Sequence, residues 1–189
     1  GIMKAKQEFE KMFQESLEKN RESWIEDWVR LVRQPSVSAT GEGVIDWCCL
    51  IAGKMRELGI ETEIHPVEPY PVIVGRFGKD PEKKTVLIYA HYDVMPTGDL
   101  SLWQSPPFEP SVRDGKLYGR GSADNKSPLM AHLEAFDFLN SELGEVPVNI
   151  IFVFEGCEES GSVGLPEFLQ AHKDEWKADL VFFSDGPKN

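Results

Sequence analysis

Hydrophobic and polar positions along the 189-residue chain follow two different periods. Over residues 4–33, Phe9, Phe13 and Leu17, then Trp24, Trp28 and Leu31, recur every three or four positions with charges between them. That spacing predicts an amphipathic helix. The polar run 20–23 is the place where it is expected to break, with Ser23 as a cap. Pro35 ends the pattern, and residues 34–43 read as a loop. A second helix over 44–58 carries Trp47, Leu50, Ile51, Met55 and Leu58 on one side and stops at Gly59. Residues 60–67 and 72–77 read as strands separated by Pro66, Pro69 and Pro71. The unbroken apolar run 85–90 suits a strand buried on both faces. Residues 96–110, rich in Pro and Ser and containing Trp103 and Phe108, fit an ordered loop over a site or a plain surface loop equally. A short strand at 116–118 precedes the sharp turn Gly119-Arg120-Gly121. Ser127 and Pro128 then open a helix, as N-cap and first helical residue, with Leu129, Met130, Leu133, Phe136 and Leu139 as its apolar face. Strands at 146–154 and 180–183 flank an acidic, Gly-rich turn and a short helix at 165–173. Strands alternating with helices predict an α/β fold, a three-layer sandwich whose mostly parallel or mixed central sheet has helices on both faces. Residues 1–189 are expected to form one domain.

Three of the apolar runs end in ligand-type residues. The first leads into His91 and Asp93, the second into Glu158 and Glu159, and the third into Ser184 and Asp185. Asp124 stands just ahead of a helix N-terminus. Ligands of open α/β sheets bind at the carboxyl ends of the strands. Carboxylates gathered there without a partner repel one another and carry a desolvation penalty, which one or two divalent cations would relieve. A His with Asp and Glu donors suits zinc, with manganese or cobalt as alternatives. Asp93 is placed to accept from the second ring nitrogen of His91. The HExxH helix, the P-loop and the GxGxxG fingerprint are absent from the sequence.

Composition narrows the picture only a little. A formal net charge of −12 argues against nucleic acid and anionic membrane surfaces as partners. Cys48, Cys49 and Cys157 are odd in number and lack metal spacing, so a reducing compartment is expected. No apolar stretch approaches the roughly 18 residues of a membrane span. A soluble, cytoplasmic protein is the expectation.

Four motifs stand in order: His91-x-Asp93, Gly119-Arg120-Gly121-x-x-Asp124-Asn125-Lys126, Glu158-Glu159 followed by Gly161 and Ser162, and Ser184-Asp185-Gly186. Together they resemble the dinuclear-zinc amidohydrolases that include carnosine dipeptidases, acetylornithine deacetylases and succinyl-diaminopimelate desuccinylases. Trp103-x-x-x-Pro107-Phe108 and Leu117-Tyr118-Gly119-Arg120-Gly121 further resemble its dipeptidase branch, and Asp185 is similar to the residue its peptidases carry there. The resemblance implies two zinc ions, with Asp124 bridging them, His91 and Asp185 completing one site and Glu159 ligating the other. Asp93 would orient His91, and Glu158 would be the general base. It implies hydrolysis of dipeptides or short peptides; N-acyl amino acid deacylation, or a non-catalytic binding role on the same fold, are the alternatives. A cis peptide between Asp124 and Asn125 is implied as well. Ser127-Pro128 departs from the family pattern, which has Gly there. The family's last ligand, a His, follows an inserted lid domain that serves dimerisation and substrate binding, and this chain is expected to stop before it. By itself it would hold one metal or none and be a weak enzyme. His65, His132 and His172 match no motif and are expected to be ordinary packing or surface residues.

Overall fold

The computed structural model describes residues 1–94, 111–113, 116–118 and 126–183. In chain order the elements are α1 (Ile2–Arg33), α2 (Val44–Glu57), β1 (Glu61–His65), β2 (Val72–Phe77), β3 (Thr85–His91), β4 (Ser111–Arg113), β5 (Lys116–Tyr118), α3 (Lys126–Asp137), β6 (Asn149–Glu155), α4 (Leu165–Ala171) and β7 (Leu180–Phe183). The main sheet has the order β1-β2-β6-β3-β7, and β4 pairs with β5 apart from it. Pairing is antiparallel for β1–β2 and β2–β6, and parallel for β6–β3 and β3–β7. The sheet is therefore mixed.

Side chains alternate across β6, and each set meets its own layer. Ile150, Phe152 and Phe154 join Ile73 against Trp47, Ile51 and Met55 of α2 and Leu129, Met130, Leu133 and Phe136 of α3. Ile151 and Val153 join Val72 and Val74 against Phe168 of α4. These two clusters on opposite faces make the three layers. Every residue of β6 is buried, whereas β3 is only partly so. The strand at 85–90, expected to be buried on both faces, is thus one place nearer the edge than β6. Among the described residues β7 is the last strand of this sheet, and all four of its residues are exposed. An apolar run shows strand preference, not what covers it.

The predicted break in α1 does not occur. Asn20 Nδ2 donates to Ser16 O at 3.0 Å and to Glu142 Oε1 at 3.1 Å, and Ser16 Oγ donates to the same Glu142 oxygen at 2.8 Å. The polar run is thereby docked onto the end of the α3 segment, which continues through the π-helical turn Phe138–Glu142. Helix α3 begins at Lys126, so Ser127 and Pro128 lie inside its first turn rather than before it. No helix among the described residues is long and apolar enough to cross a membrane.

Candidate metal centre

Strands β3 and β6 run parallel with His91 opposite Glu155, so both deliver the chain to the same sheet edge. Strand β7, parallel to β3 with Phe183 opposite Tyr89, points the same way. Beyond β6, Gly156 and Cys157 lead into the 3-10 turn Glu158–Ser160. A side chain at Gly156 would meet the Tyr92 hydroxyl oxygen at 2.1 Å, so only glycine lets this crossing pass so close. Tyr92 cannot give way: its hydroxyl donates to Pro71 O at 2.6 Å and its ring stacks on Trp47 at 5.0 Å.

His91 and Asp93 are fully buried, at 1% and 0% exposure. His91 Nδ1 lies 3.1 Å from the Asp93 carbonyl and 3.3 Å from Asp93 Oδ1. Its Nε2 faces the opposite way, 3.6 Å from Glu158 Oε2. The Asp93 carboxylate does a second job that its sequence position does not announce. Oδ1 accepts from the Glu158 N–H at 3.1 Å and Oδ2 from the Glu159 N–H at 2.9 Å. One buried carboxylate therefore sets both the imidazole and the acidic turn. Ligand atoms of His91, Glu158 and Glu159 all lie within 4.8 Å of one another. An imidazole braced at its other nitrogen, facing two carboxylates, is donor chemistry that fits a divalent cation.

Of the predicted ligands, the structure brings His91 and Glu159 together, with Glu158 beside them. Asp124, Asp185, the Asp124–Asn125 peptide, Trp103 and Phe108 lie outside the described residues. His65 and His172 sit in an aromatic group with Phe168 and Trp176, away from the cluster of His91 and the two glutamates.

The loop 34–43 contributes what the sequence reading missed. Ser36 Oγ donates to Tyr92 O at 2.6 Å, and Val94 N–H donates to Ser36 O at 3.0 Å. The Ser38 and Ser160 hydroxyls are 3.1 Å apart, and Tyr70 donates to Ser38 O at 2.6 Å. Lys126 Nζ, fully buried over the Trp47 ring, donates to Gln34 O at 2.9 Å. Burial pushes that ammonium down to about 7, while the carbonyl and ring face both favour its charged form. One loop thus ties the exit of β3, the acidic turn and the start of α3. The sequence marks it as a loop, but not as a tether.

The family model described as Peptidase family M20/M25/M40 matches residues 87–188. A Cys-Gly metallodipeptidase of Schizosaccharomyces pombe is 34% identical over 188 residues, which span 90% of this chain and 39% of that protein. A Beta-Ala-His dipeptidase of Mus musculus is 33% identical over 177 residues, 85% of this chain and 36% of that protein. The crystal structure of human carnosine dipeptidase 1 superposes with a TM-score of 0.85 at 30% identity, covering 95% of this chain and 41% of that one. The chain spans about two fifths of the length of these relatives.

Proposed function

The chain belongs to the peptidase family M20/M25/M40, and from that premise we propose that it is the metal-binding part of an enzyme that hydrolyses the peptide bond of dipeptides or short peptides. The observation that carries this is the convergence of His91, Glu158 and Glu159 within 4.8 Å over a single bracing carboxylate, Asp93. Relatives named for dipeptide substrates support the same class.

His91, Asp124, Glu159 and Asp185 would hold the ions, two zinc ions in this reading, with cobalt or manganese as substitutes. When bound, such ions lower the pKa of the attacking water and polarise the scissile carbonyl. The remaining steps belong to the chain. Asp93 engages His91 at Nδ1 and so fixes the ring's angle, with Nε2 turned toward Glu158. Glu158 takes the proton from water and passes it to the departing nitrogen. Its side chain is 32% exposed, so water and substrate can reach the carboxylate without crossing the core. Cys48, Cys49 and Cys157 are all free thiols, in keeping with a cytoplasmic setting.

The test is a panel of dipeptides beside N-acetyl and N-succinyl amino acids, run on the full-length protein with metal content measured by mass spectrometry. Dipeptide cleavage that is lost on chelation and restored by zinc is expected. Cleavage of the N-acyl substrates alone would make it a deacylase, and a protein carrying no metal would refute the reading.

A further inference from the structure

Glu155 closes β6 and is 1% exposed. Its Oε1 accepts from two hydroxyls: Tyr89 of β3 and, at 2.7 Å, Ser162 Oγ. Tyr89 lies two residues before His91, on the same face of the strand. Ser162 closes the turn that carries Glu158 and Glu159, and its N–H donates back to Cys157 O at 2.7 Å. A single oxygen therefore spans from the strand that presents the imidazole to the turn that presents the two carboxylates.

Two features are hard to explain by fold stability alone. Among the described residues Ser162 is the one non-glycine with a left-handed backbone, at φ 54°, a conformation that strains a residue bearing a Cβ. Glycine would relax it, and glycine already occupies the preceding position with φ 92°. What serine adds is the hydroxyl that reaches Glu155. Likewise Glu155 Oε2 is buried with no hydrogen-bond partner among the described residues, and burial pushes the carboxyl upward even though Tyr89 and Ser162 pull the other way. An apolar side chain would fill the same space without that penalty.

We propose that Glu155 is a positioning residue of the metal centre, holding the Glu158–Ser160 turn at its distance from His91 through Ser162 and Tyr89. The inference rests on the metal-dependent reading above. In the full-length protein, Ser162→Gly removes the hydroxyl but relieves the backbone, so the two effects on stability oppose and its melting temperature should fall less than that of Glu155→Ala. Cobalt(II) titrated by visible absorption should nevertheless bind about 10–100-fold more weakly, with an altered ligand-field spectrum. Glu155→Ala should do the same. Glu155→Gln keeps a carbonyl oxygen for both hydroxyls and should restore affinity and spectrum. Dipeptide turnover should fall in kcat with KM little changed in the two weakened variants. If Glu155→Ala does not fold, Ser162→Gly decides alone. Unchanged cobalt affinity and spectrum in Ser162→Gly, or a Glu155→Gln no better than Glu155→Ala, overturns the proposal. An unsubstituted protein that binds no cobalt overturns the metal reading itself, before any substitution is compared.

Discussion

Asp93→Asn isolates the part of the site on which the most geometry depends. The substitution keeps shape and volume but replaces one acceptor oxygen by an NH2 group. Asp93 accepts from the Glu158 and Glu159 N–H groups at 3.1 and 2.9 Å, and it is fully buried, so water cannot substitute. The amide oxygen can serve one of these donors, while the NH2 must then face the other. A hydrogen bond to a charged group is worth about 1.5–3 kcal/mol, and one is lost. In a chain of this size each kcal/mol shifts the melting temperature by about 2–4 °C, so the midpoint should fall by about 3–12 °C. The imidazole suffers less, because the Asp93 main-chain carbonyl, 3.1 Å from Nδ1, survives the substitution. Metal affinity should fall by the roughly 10–100-fold typical of a residue that orients ligands, chiefly because the acidic turn is freed. Thermal unfolding by circular dichroism and cobalt titration measure the two effects separately. A variant within about 0.5 kcal/mol of the parent, with unchanged cobalt affinity, would refute the bracing role.

Three further outcomes follow from the same geometry. Glu158→Gln should abolish dipeptide turnover while retaining bound metal, whereas Glu159→Gln should lose metal as well; equal metal loss in both would mean that Glu158 is a ligand rather than the base. Gly156→Ala places a methyl 2.1 Å from the anchored Tyr92 hydroxyl, so it should destabilise by about 1–3 kcal/mol, with denaturant unfolding as the measure. Glu134, half-buried beside the α1 contact, has its carboxyl pushed up from 4.5 to about 7 by burial and by Asp137. Its folded form then holds a proton that the unfolded chain has released between those values, so stability falls as pH rises through that window. Solvent screening keeps the effect to about 1 kcal/mol, and Glu134→Gln should flatten that part of the melting-temperature profile.

The elements with an internal period were legible in the sequence. The apolar stripes of α2 and α3 and the β-rich runs at 72–77 and 180–183 all form where the pattern puts them. Relations that depend on what lies alongside were not. The docking of Asn20 and Ser16 on Glu142 bridges more than 120 residues of chain, and no local rule distinguishes a polar run that breaks a helix from one that is received by a partner. The same limit hid the rank of the strands, since β6 and β3 have similar composition and only their place in the sheet order separates full from partial burial.

At the site, residues that touch a ligand are legible because their chemistry is rare at a strand end, whereas the residues that hold them look like any other serine, tyrosine or glycine. His91 and the Glu158-Glu159 pair stood out for that reason, and their convergence follows from two parallel strands in register. The distances among them follow from something else. Asp93 bonds the turn through its main chain, Glu155 through Ser162, and the loop 34–43 through Ser38 and Ser160. The turn is thereby held by the exit of β3, by the end of β6 and by the loop between α1 and α2. A three-residue 3-10 turn has too few internal hydrogen bonds to keep two carboxylates fixed against their mutual repulsion. Its rigidity has to come from outside it, and the three tethers supply it.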